Sequence, residues 1–223
     1  MLSFPEYKEI DRVLFYFEEI SKIPHGSGNT DKIADYLTKF AKEHSLFVKR
    51  DSINNVTIKK PGTAGYENHS PIIIQGHLDM VIAKTADCKK DLLNEGISVF
   101  REGDFLCADG TTLGADDGVA ISYALALLES NDIPHPPLEV ILTSDEETGL
   151  IGAIGFDASH IEGHTLINID NGSEGVFTVG CAGGLHVEIS QPMLKSDKEA
   201  KNIEISIFGL VGGHSGAEIH KGR

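Results

Sequence analysis

Apolar residues recur at three- and four-residue spacing over residues 8–21 (KEIDRVLFYFEEIS) and 30–44 (TDKIADYLTKFAKEH), which predicts two amphipathic helices, the second with Asn29 or Thr30 as its N-cap. Short β-rich runs follow at 46–50, 55–59 and 71–75, and the last, PIIIQ, has the apolar run expected of a strand covered on both faces. A helix over 117–130, a strand at 138–143 (LEVILT), a helical turn near 149–155 and a strand at 165–169 (TLINI) continue the alternation. Strands alternating with helices predict an α/β fold, a mostly parallel sheet flanked by helices. Ligands of such sheets bind beyond the carboxyl ends of the strands. After residue 175 the texture changes to long β-rich runs, VFTVGCAGGLHVEIS and NIEISIFGLV, with no helical pattern between them. A domain boundary is therefore expected near 180–190: a first domain over 1–185, then over 186–223 the beginning of a smaller α+β domain, too short to close a sheet of normal size.

Composition narrows the chemistry. The 34 acidic against 19 basic residues give a formal charge of −15, which opposes nucleic acid or an anionic membrane as a partner and suits bound cations. Cys88, Cys107 and Cys181 are odd in number and widely spaced, which suggests neither a disulfide framework nor a thiolate zinc site and fits a reducing cytoplasm. No signal-like apolar core opens the chain and no window reaches about 18 apolar residues, so the sequence reads as soluble and unexported.

The acidic pairs are the candidate chemistry. GHLDMV (76–81) follows strand PIIIQ, and His77 and Asp79, two apart, share a face if the extended conformation continues. Asp116 and Asp117 open the apolar helix, Glu146 and Glu147 follow LEVILTS, and Asp170 ends LINID. Four segments thus deliver carboxylates and one imidazole to one sheet edge. Like charges so close call for a cation between them. Imidazole mixed with carboxylate suits zinc, manganese or cobalt more than calcium or magnesium. A paired-metal centre needs a bridging carboxylate, a place that Asp116 suits. Acids at a helix N-terminus also favour the helix dipole, an equally good account of Asp117.

GHLDMV, TTLGADDGVA, TSDEETGLIGA, INID and GGHSG together resemble the di-zinc metallopeptidases that include carboxypeptidase G, aminoacylase and succinyl-diaminopimelate desuccinylase. ISKIPHGSGN (20–29) places the likeness within them nearest the aminoacyl-histidine (Xaa-His) dipeptidases. The resemblance implies a zinc-exopeptidase-like catalytic domain followed by a lid and dimerisation domain, and two Zn²⁺ ions, with Co²⁺ or Mn²⁺ as substitutes. It implies that His77 and Asp170 hold one ion, Asp116 bridges and Glu147 holds the second. Asp79 would orient the His77 ring, Glu146 would act as general base, and His214 would stabilise the oxyanion. A cis peptide between Asp116 and Asp117 is implied too, with a small dipeptide as substrate and a homodimer as the assembly. Family members are longer, and after the lid domain they return to the sheet with a final zinc-ligating His. The resemblance therefore implies a chain cut inside the lid domain of a longer dipeptidase; a truncated product with an incomplete site is the alternative.

Other residues carry weaker readings. In GGHSG, Ser215 fails the G-x-S-x-G nucleophile pattern because Ala217 ends it. Arg223 matches a lid residue that meets the substrate carboxylate. His25 reads as a surface residue of a first turn. His44, His69, His135, His160, His164, His186 and His220 read as structural, and Cys181 as a small buried hydrophobe. A related tripeptidase or deacylase, and a non-catalytic metal-binding fragment, are the competing functions.

Overall fold

The computed structural model describes residues 2, 10–172, 175–180, 190, 192, 204, 206, 208 and 209. The chain divides into two units, Met1–Gly172 and Ser173–Arg223, and every regular element described lies in the first.

The two N-terminal helices form as their spacing predicts, α1 over Asp11–Ser21 and α2 over Asp31–Glu43. Each buries one stripe: Leu14, Phe17 and Ile20 on α1, Ile33, Leu37 and Phe40 on α2. Thr30 occupies the N-cap position of α2 but makes no capping bond, because its hydroxyl accepts from the Asn54 side-chain amide instead. Fully burying a side chain such as Leu37 contributes about 1.5–3 kcal/mol.

Strands β1 (Phe47–Arg50), β2 (Val56–Lys60), β3 (Ile72–His77), β6 (Leu138–Thr143) and β7 (Thr165–Asn168) form one sheet in the order β1-β2-β6-β3-β7. β6, β3 and β7 run parallel, and β2 and β1 extend the sheet antiparallel beyond β6. All six residues of LEVILT are buried, as the centre of a doubly covered sheet requires. The connection from β3 to β6 runs through α3 (Ala115–Glu129), an apolar helix packed between α1 and β3. On this face Ile58, Ile74, Val140 and Leu142 meet Ile121, Ala124 and Leu125 in the main core. The opposite face bears α4 (Ile151–Gly155), a turn of 3₁₀ helix at Ala158–His160, and an open groove of about 550 Å³ lined by residues including Ile73, Ile141, Leu150, Phe156 and Leu166.

One element escaped the pattern. Strands β4 (Val99–Glu102) and β5 (Phe105–Ala108) make a separate hairpin turning through Gly103 at φ +60°. Its Phe100 and Phe105 are exposed, so the hairpin has no strong buried alternation to announce it. Among the described residues no helix is long and apolar enough to cross a membrane.

Gly76 lets α3 lie against the end of β3. A Cβ there would stand 2.4 Å from Asp117 Oδ2 and 2.5 Å from Ala120 Cβ. Gly76→Ala is expected to destabilise the chain by about 1–3 kcal/mol, the usual cost of overpacking. Thermal denaturation checks this, and an unchanged Tm would contradict the seating of α3.

Candidate functional site

Parallel register brings the strand ends together. His77, the last residue of β3, pairs with Thr143, the last of β6, and Gln75 pairs with Asn168 at the end of β7. The segments that follow each strand therefore emerge side by side, and the first turn of α3 joins them. Gly114 caps that turn in the left-handed region at φ +68°, Asp116 and Asp117 leave helical geometry, and the peptide between them is cis.

His77 is the hub. Its side chain is 1% exposed, and Nε2 lies 3.0 Å from Asp116 Oδ1. On the other side of the ring, Nδ1 lies 2.8 Å from the Asp79 carbonyl oxygen and 3.4 Å from Asp79 Oδ1. Its backbone N–H donates to Asp117 Oδ2 at 3.0 Å. Burial disfavours the imidazolium, but the Asp79 hydrogen bond and the charges of Asp117 and Asp116 outweigh it and push the His77 pKa up to about 10.

The carboxylates divide by environment. Burial raises the Asp79 carboxyl, yet hydrogen bonds from His77, the Ser27 hydroxyl and the Glu146 N–H prevail and hold it at about 2. Asp117 is pushed up to about 7, chiefly by burial. With that burial, its reading as a solvated acid at a helix N-terminus is set aside. Burial also raises Glu146, with Asp170, Asp79 and Asp116 adding repulsion. Glu147 is raised by burial and then by Asp116. His77 works the other way on both glutamates, its charge favouring their ionised forms.

Among the described residues two sets of side chains could hold a metal ion, His77 with Asp116 and Asp170, and His77 with Glu146 and Glu147; in each set one ligand atom per residue falls within 4.8 Å of the others. Five of the acids expected at the sheet edge, Asp79, Asp116, Glu146, Glu147 and Asp170, thus lie together around the His77 imidazole. His214, Ser215, Cys181, His186, His220 and Arg223 lie outside the described residues.

Sequence reasoning missed the supports. His25 is buried rather than on the surface, its Nδ1 lying 2.6 Å from the Ile23 carbonyl oxygen and its own carbonyl accepting the Met80 N–H. Burial lowers its pKa. Ser27 donates to Asp79 Oδ2 at 2.7 Å, and the Gly28 N–H donates to Asp145 Oδ1 at 2.6 Å. Asn55, also buried, accepts the Ser144 N–H and donates to the Gly152 carbonyl. The available signal was polar side chains, in PHGSGN and INNV, beside otherwise apolar elements.

A mainly parallel α/β sheet with acidic side chains around a histidine at its carboxyl edge defines an α/β class with a candidate metal centre, and comparison narrows it. No family model matches the chain. It is 41% identical over 211 residues to the cytosol non-specific dipeptidase of Escherichia coli, covering 92% of this chain and 43% of that protein. Over 74 residues it is 45% identical to peptidase T of Salmonella arizonae, covering 31% of this chain and 18% of that protein. Among solved structures, aminoacylhistidine dipeptidase from Vibrio alginolyticus is 41% identical with a TM-score of 0.72, covering 74% of this chain and 34% of that one. A tripeptidase from Staphylococcus aureus, 24% identical with a TM-score of 0.61 over 73% of this chain and 43% of that one, shares the fold. The chain belongs to the peptidase family of these dipeptidases. It spans less than half the length of these two dipeptidases.

The electrostatics predict a pH signature in the metal-free chain. The folded-state pKa of His77, about 10, exceeds its ordinary 6.5, so its contribution to stability is complete below pH 6.5 and is lost as pH rises through about 10. Thermal unfolding in chelator should show Tm falling between those values, and His77→Asn should reduce the fall. Equal slopes in both proteins would contradict the assignment.

Proposed function

We propose that this chain carries most of the metal centre of a dipeptidase that hydrolyses Xaa-His dipeptides such as carnosine. The observation that carries the reading is the convergence of two potential ligand sets on the buried imidazole of His77. The donor set fits divalent metal: imidazole with carboxylates suits zinc, cobalt or manganese, and the acidic groups repel one another without a cation between them. His77 and Asp170 would hold one ion, Asp116 would bridge, and Glu147 would hold the second. Bound there, two such ions would polarise the scissile carbonyl and acidify an attacking water.

The chain's own residues supply the rest. Asp79 fixes the ring of His77 through Nδ1, leaving Nε2 aimed at Asp116. Glu146, its carboxyl raised by burial, takes a proton from the attacking water and delivers it to the leaving amine nitrogen. His214 would stabilise the oxyanion from the lid domain beginning near residue 186, and the working protein would be a cytoplasmic homodimer. The name of the Escherichia coli relative favours a broader second reading, a dipeptidase indifferent to the C-terminal residue. Rates on β-Ala-His against dipeptides lacking histidine separate the two.

In the active protein, Glu146→Ala is expected to leave zinc content unchanged while lowering turnover about 10²–10⁴-fold, the usual contribution of general acid–base catalysis. Steady-state hydrolysis beside metal analysis checks this, and a retained rate would remove Glu146 from the role.

A further inference from the structure

The turn carrying Glu146 and Glu147 is fixed through Asp79, and Asp79 is itself held from a distant part of the chain. Its carboxylate spends Oδ1 on the Glu146 N–H at 2.9 Å and faces His77 Nδ1 with the same atom at 3.4 Å. Oδ2 meets the Glu147 N–H only at 3.4 Å and takes its short bond, 2.7 Å, from the Ser27 hydroxyl. A carboxylate on a single bond rotates unless both oxygens are held, and here the second oxygen is held by Ser27. The loop bearing Ser27 is fixed on both sides: the His25 carbonyl accepts the Met80 N–H at 3.1 Å, Gly26 bridges to Met80, and the Gly28 N–H donates to Asp145 Oδ1 at 2.6 Å. The 25–28 loop thus touches the segment after β3 and the segment after β6, the two that deliver His77 and the glutamate pair.

We infer that Ser27 is a positioning residue of the centre, acting through Asp79 to set the rotation of that carboxylate and hence the placement of the Glu146–Glu147 turn, whereas the His77 ring rests chiefly on the Asp79 carbonyl oxygen at 2.8 Å. The inference deepens the metal-centre reading and rests on it for its consequence in metal binding, whereas the contact itself stands in the metal-free chain.

Two measurements on the 223-residue chain separate the inference from the reading beneath it. In metal-free protein, amide hydrogen exchange at Glu146 and Glu147 should quicken about tenfold in Ser27→Ala, the loss expected for one hydrogen bond to a charged group. Ser27→Thr, which keeps the hydroxyl, should stay within about twofold of the parent by the same reasoning. The core amides of Ile74 and Val140 should not follow. Exchange unchanged at the glutamates, or quickened equally at Ile74 and Val140, overturns the positioning role, since a merely structural serine would loosen the whole core together. Zinc titration is the second readout: affinity should fall about tenfold in Ser27→Ala and recover in Ser27→Thr, as for other groups that orient metal ligands. Affinity of Ser27→Ala equal to that of a zinc-binding parent also overturns the inference. A parent chain that binds no zinc sinks the metal-centre reading instead, and the exchange result alone then decides the role of Ser27.

Discussion

The structure turns on one electrostatic constraint: several carboxylates crowd the carboxyl ends of three parallel strands, and a buried imidazole stands among them. Burial, and after it repulsion, raises Glu146 and Glu147, while against the cost of its own burial the neighbouring carboxylates raise His77. A site arranged in this way favours positive charge before any ligand arrives. The sheet holds it against its own repulsion because β3 and β6 are buried along their length and cannot spread without opening the core.

The turn after β6 shows how local geometry is made rigid enough to matter. Asp145 and Leu150 both adopt positive φ, at 51° and 60°, so the backbone doubles back sharply on either side of the glutamates. Gly152 then passes so near that a Cβ would stand 2.3 Å from the Ser144 carbonyl oxygen, and Asn55 ties both residues to the start of β2. Asp79 holds the turn from the opposite side through the Glu146 N–H. With anchors on two sides, the glutamate side chains have little backbone freedom left to lose on binding a ligand, which favours affinity.

Much of this was legible in the sequence, for reasons that differ by element. LEVILT and PIIIQ read correctly because a strand buried on both faces must be apolar in succession, and their parallel pairing follows from the helix between them. The gathering of acidic residues at the sheet edge was legible because they directly follow strands whose ends a parallel sheet aligns. The β4–β5 hairpin was not, since Phe100 and Phe105 put apolar side chains at exposed positions and mask any alternation in the sequence. His25 and Ser27 were not, because their meaning is tertiary: nothing in PHGSGN says that the loop will meet residues 79, 80 and 145, some 50 to 120 positions away.

That difference has a physical root. Periodicity reports which face of an element meets the core, a property of neighbours in sequence, so it recovers helices and strands. Hydrogen bonds to a buried carboxylate are set by which segments the fold juxtaposes. In this chain they run from an N-terminal loop to the ends of two strands, and the apolar pattern that builds the sheet is what makes that meeting possible. The polar supports of the site are thus a consequence of the core, and a substitution such as Gly76→Ala that lifts α3 from β3 acts on Asp117 and His77 without touching either side chain's chemistry.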